Sequence, residues 1–114
     1  MSEVDDLAEL DALIDDLTLD AYNDDERLAG FLVGAAEALA TRQVATIVGT
    51  EVDVVAIVDG SDERRGLEAV CVRAGAESRV SLADLVFGAG SEIALVVAAY
   101  RHWMGLEPWP QGRR

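Results

Sequence analysis

Residues 51–73 read EVDVVAIVDGSDERRGLEAVCVR, and this stretch decides the fold. It opens with Val52, Val54, Val55, Ala56, Ile57 and Val58, nearly all β-branched, which predicts a strand buried on both faces. Asp59-Gly60-Ser61-Asp62 then supplies turn chemistry: Gly tolerates positive φ, while Asp and Ser bond their own backbone. After Arg64-Arg65-Gly66 the chain turns apolar again through Leu67, Ala69, Val70, Cys71 and Val72. Two β runs joined by a charged loop predict a hairpin. Asp59, Asp62 and Glu63 place three carboxylates in that loop beside two guanidiniums.

Outward from the hairpin, the spacing predicts a short acidic helix from Ser2 to Leu17, with Val4, Leu7, Leu10, Ile14 and Leu17 on its apolar stripe. Asn23 is placed as the N-cap of a second helix, followed by Asp24, Asp25 and Glu26 in the first turn, where the helix dipole favours anions. That helix is expected to run to about Ala40 and to bury Leu28, Phe31, Leu32, Ala35 and Leu39. Strands are expected at 44–48, 51–58, 67–73 and 79–82, followed by a half-buried connection over 83–87. Ser91 caps a last helix with the amphipathic stripe Ile93, Val96, Val97, Tyr100, Trp103 and Met104, and Gly105 lies past its end. The class is therefore α+β: two N-terminal helices, a small antiparallel sheet or partial barrel of about four strands, and a C-terminal amphipathic helix.

Chain length sets a single domain, and a hydrophobic content of 51% argues for a real core despite a net charge of −13. No apolar run reaches membrane-spanning length, and the acidic opening Ser2–Asp6 is unlike a secretion signal, so a cytoplasmic protein is expected. Residues 1–40 hold twelve acids against the single base Arg27, a local balance of −11. Such a surface repels nucleic-acid phosphates and anionic lipid and favours cations or basic partners. Cys71 and His102 stand alone in their residue types, which excludes a disulfide or a Cys/His zinc site within one chain.

The residues give no support to an enzyme. His102 sits beside Arg101, opposite the apolar stripe, as a solvated helix residue. Cys71 reads as a small buried hydrophobe among valines. Ser61, Ser81 and Ser91 have turn, strand and cap explanations, and Gly88-Ala89-Gly90 lacks the glycine fingerprint of a phosphate loop. The acids point elsewhere, since Ca²⁺ takes six to eight hard oxygens and clustered carboxylates repel until a cation relieves them. An EF-hand over 59–70 is excluded, because its sixth position is Arg64 rather than Gly and its twelfth is Val70 rather than Glu. A solvated acidic face on the two helices, with salt-bridged arginines in the loop, accounts for the same residues.

Asp20-Ala21-Tyr22 with Glu26, Phe31-Leu32, Ala45-Thr46-Ile47-Val48-Gly49, Asp62-Glu63-Arg64-Arg65-Gly66-Leu67, Val80-Ser81-Leu82-Ala83-Asp84-Leu85 and Ala99-Tyr100-Arg101-His102-Trp103-Met104-Gly105-Leu106 follow in that order. Together they resemble the CcbP-type calcium-binding proteins over about residues 18–107, leaving 1–17 as an acidic N-terminal extension and 108–114 as a tail. The resemblance implies a cytosolic, non-enzymatic Ca²⁺ buffer or sensor that binds through surface carboxylates. Asp24, Asp25 and Glu37 of the second helix, with Asp59 and Asp62 of the hairpin loop, are the expected metal ligands. The alternative is an acidic interaction module, an adaptor or antitoxin-like protein whose first helix docks a basic partner.

Overall fold

A computed structural model describes residues 3–60, 66–88 and 90–106, with side chains from Ala8 onward. The elements run α1 (Glu3–Leu17), α2 (Asp24–Leu39), β1 (Gln43–Ile47), β2 (Thr50–Asp59), β3 (Leu67–Arg73), β4 (Ala76–Ser81), a 3₁₀ turn (Leu82–Asp84), β5 (Val86–Phe87) and α3 (Glu92–Trp103). The class is α+β, with an antiparallel sheet of five strands in the order β4-β3-β2-β1-β5. The expected four strands miss β5, two residues long, which pairs Phe87 with Ala45 and Val86 with Thr46. No described helix is long and apolar enough to cross a membrane.

Helix ends follow local chemistry. The Asn23 side chain accepts the Glu26 N–H at 2.8 Å, and the Glu26 carboxylate reaches back to accept the Tyr22 N–H at 2.7 Å. At the other end of α2, the Gln43 side-chain amide donates to the carbonyls of Ala38 and Leu39. The Ser91 hydroxyl accepts the Ala94 N–H at 3.2 Å and starts α3. Gly105, at φ +83, ends it, with the Leu106 N–H returning to the Arg101 carbonyl.

α3 is more than the amphipathic helix its stripe predicts. It is buried from Ile93 to Arg101 except at half-buried Leu95, because α1 and α2 both pack against it. Phe31 of α2 packs, with its ring tilted, against Tyr100 and Trp103 at centroid distances of 5.5 and 5.1 Å. Arg101, although buried, has its guanidinium bonded to the Ala83 carbonyl. His102 is half-buried and lies 3.0 Å from Asp11 of α1, so it makes a solvent-exposed contact between two helices. α1 places Leu10 in the core and packs Leu13, Ile14 and Leu17 against it.

β2 corrects the expectation of a strand buried on both faces. Only Val54 and Ile57 are fully buried in it, three residues apart where a regular strand buries every second one. The cause is a bulge between Val54 and Ala56, where the pairing steps from Cys71 to Val70 and leaves Val55 extra. Before the bulge, Val52 and Val54 face the helices; after it, Ile57 and Asp59 do. The opposite face carries Val44, Asp53, Val58, Val72, Glu77 and Arg79, the mixed surface of a sheet open on one side.

Both short hairpins turn in two residues with positive φ, Val48-Gly49 and Ala74-Gly75. β1 therefore ends at Ile47 rather than Val48, and β4 starts at Ala76, earlier than the expected Arg79. Val48 is 98% exposed at φ +49, where its branched side chain strains the backbone and packs on nothing. Val48→Asn restores the Asn-Gly pair this turn favours. It is expected to raise stability by about 1 kcal/mol, seen as a thermal midpoint higher by about 4 °C or more. An unchanged or lower midpoint would refute the strain.

Candidate cation-binding site

The β2–β3 hairpin is closed at its mouth by the Gly60 N–H, which donates to the Gly66 carbonyl at 3.0 Å. Asp59 pairs directly with Leu67, and the bulge has put it on the helix-covered face. There it lines a cavity of about 300 Å³ with Asp25, Leu28, Ala29 and Leu32 of α2, and with Gly60 and Leu67. Asp25 and Leu28 also line a neighbouring cavity of about 400 Å³, whose other walls are Asp24, Gly66, Tyr100, Trp103 and Met104. One carboxylate from the start of α2 and one from the end of β2 thus line the same cleft, both exposed to solvent, and its remaining side chains are aliphatic.

The expected ligands divide by position. Asp25 and Asp59 come together at the first cavity. Asp24 borders the second and is ion-paired with Arg27 at 2.8 Å, its side chain largely in solvent. Glu37 lies twelve residues beyond Asp25 on the same helix, about 18 Å along its axis, and borders neither cavity. Asp62 lies outside the described residues, as do the rest of the 61–65 loop and the tail from 107 onward. Among the described residues, no group of three His, Cys, Asp or Glu side chains is placed to hold a metal ion.

Tyr100 is the member of this region that reading the chain did not single out as functional. Its ring is fully buried, and its hydroxyl accepts the Leu67 N–H at 3.0 Å. Burial pushes the phenol pKa up; the Leu67 N–H opposes the rise, and the charge of Asp59 adds to it. The hydroxyl therefore stays protonated at neutral pH and sits within the field of the Asp59 carboxylate. A signal was present in the chain: a tyrosine on a stripe bound for the core brings a polar tip that needs a partner. Cys71 is buried, with its thiol pKa raised by desolvation, and behaves as the small hydrophobe expected.

What the site offers chemically is two hard, anionic oxygen donors on separate rigid elements, near the N-terminus of α2. The donor type suits a hard cation such as Ca²⁺, while the number of described carboxylates falls short of its six to eight oxygens. Comparison of the chain with protein-family models, with curated proteins and with solved structures gives no match.

Proposed function

We propose that this protein binds Ca²⁺ without an EF-hand, as a non-enzymatic buffer or sensor in the cytoplasm, with Asp25 and Asp59 as its principal ligands. The observation that carries the reading is their shared cavity, reached by Asp59 only because β2 is bulged. The resemblance of the chain's motifs to CcbP-type proteins supports the choice of Ca²⁺. Asp24 and Asp62 complete the proposed set, with water and main-chain oxygens filling the remaining positions. Glu37 is left out of it, being about 18 Å away along α2.

Ligand-linked stability tests this. A ligand that binds only the folded state stabilises it by about 2.7 kcal/mol at a hundred times its Kd. For a domain of this size that raises the thermal midpoint by about 10 °C. Mg²⁺ at equal ionic strength should do less, because it gives up its water reluctantly. Asp25→Asn combined with Asp59→Asn should remove the Ca²⁺-specific rise, and Glu37→Gln should keep it. Equal responses to the two ions, or a full Ca²⁺ response in the double variant, would end the proposal.

Docking of a basic partner is the second reading, and one observation favours it. Leu19 and Tyr22 are 76% and 90% exposed in the α1–α2 connection, on a groove also lined by Asp16, Asp20 and Glu26. An apolar pair ringed by carboxylates suits a cationic segment with apolar side chains of its own.

A further inference from the structure

We propose that β4 is a self-complementary edge through which two copies of this chain pair into one continuous antiparallel sheet. β4 ends the sheet, spans six residues without proline, and is exposed from Ala76 to Arg79. Edge strands of this kind present unpaired backbone donors and acceptors, which proteins usually blunt with charged side chains, proline or a bulge; β4 carries one charge of each sign, Glu77 and Arg79. The register between β3 and β4 is regular from Arg73↔Ala76 to Glu68↔Ser81, with no bulge.

The backbone parity and the side-chain charges select the same pairing. In a two-residue hairpin, the residues flanking the turn exchange their ladder hydrogen bonds, and the bonded pairs then alternate along the strands. Ala76, Ser78 and Val80 therefore bond inward to β3, and Glu77, Arg79 and Ser81 direct N–H and C=O outward. An antiparallel two-fold centred on Ser78 sets Glu77 against Arg79 of the partner subunit, and Arg79 against Glu77 of the partner subunit. Each such pair carries its ladder bonds and opposite charges on the same, helix-free face. Sliding the two-fold by one residue either way stacks Arg79 on itself or Glu77 on itself, so the charges reject the neighbouring registers. The 3.9 Å approach of Arg79 to Glu68 within one copy holds the guanidinium on that face. With a net charge of −13 per copy, association needs salt near 0.15 M, where a Debye length of about 8 Å screens the bulk repulsion but not the touching pairs. This inference is independent of the cation reading.

Sedimentation velocity on the full chain, from about 1 µM to about 1 mM in 0.15 M salt, tests it. The wild type should shift from monomer toward dimer across that range. Glu77→Arg alone sets arginine against arginine, and Arg79→Glu alone sets glutamate against glutamate. Each should weaken the dimer by about tenfold or more, because both symmetric pairs turn repulsive. An equimolar mixture of the two variants should restore association, since the two arginines on the edge of one variant then face the two glutamates on the edge of the other. Recovery also shows that both variants fold. A wild type that stays monomeric throughout, single variants that dimerise like the wild type, or a mixture that fails to recover would each overturn the proposal.

Discussion

Gly66→Ala is expected to cost about 3 kcal/mol, a large part of the 5–15 kcal/mol that holds a domain folded. Gly66 sits at φ +65, where an alanine pays roughly 1–2 kcal/mol for the left-handed backbone. A Cβ there would also lie 2.1 Å from the Tyr100 hydroxyl oxygen, and Tyr100 is fully buried with that oxygen held by the Leu67 N–H. Moving that oxygen breaks its bond to the Leu67 N–H, and a buried donor left unpaired costs about 1–3 kcal/mol. Tyr100→Phe alone should lose only that last component. In the Tyr100→Phe background the obstructing oxygen is gone, and the next ring atom stands at an ordinary 3.5 Å. Gly66→Ala should then cost only its backbone share. Urea unfolding of the four proteins reads this cycle directly, and the two changes should be less than additive by about 1 kcal/mol or more. Strict additivity would show that Gly66 and Tyr100 do not meet as described. Because Gly66 and Tyr100 line the cavity beside Asp25, the same cycle measures how firmly that wall of the candidate site is held.

Removing residues 1–17 should abolish cooperative folding, an effect at least as large. Leu10 is 1% exposed, and truncating a buried leucine to alanine by itself costs about 2–5 kcal/mol. The seam between α1 and α2 is tight as well. A Cβ on Gly30 would lie 2.2 Å from the Leu17 carbonyl oxygen, and one on Gly34 would lie 2.5 Å from a Leu17 methyl. Glycine at both positions, one helical turn apart, lets the end of α1 settle onto α2. Deletion would uncover this seam, the α1-facing side of α3, and the contact of His102 with Asp11. Far-UV circular dichroism during heating should show a broad, non-cooperative loss of signal for residues 18–114. A sharp transition within a few degrees of the full chain would mean that α1 is dispensable to the core. That outcome would strengthen the reading in which α1 offers its stripe to a basic partner; the observed burial of Leu10 and packing of Ile14 instead leave that partner the exposed Leu19 and Tyr22.

Local chemistry in the sequence determined the class and most element positions. Asn23 and Ser91 cap helices because a short oxygen side chain reaches the free N–H groups of a first turn, whatever surrounds it. The β2–β3 hairpin was legible for the same kind of reason: a β-branched run, a Gly-containing charged loop and a second apolar run leave the chain few other local options. The paired carboxylates at the start of α2 and at the end of β2 were legible as residue types, but not as neighbours.

Tertiary structure decided which of those carboxylates meet. Counted by twos from Val54, Asp59 falls on the open face of the sheet, away from α2. The unpaired Val55 shifts that count by one and turns Asp59 to the helix-bearing face, where it lines the same cleft as Asp25. A bulge is set by how two strands fit together, and a run of valines does not mark its place. Glu37 belonged to the same acidic group in the sequence, yet the rigid rise of α2 carries it about 18 Å away. The near-complete burial of α3 likewise depends on α1 and α2 closing over it, since its own periodicity specifies only one apolar stripe. Sequence carries the donors and the caps; the register of β2 against β3 and the stacking of three helices decide where the donors point.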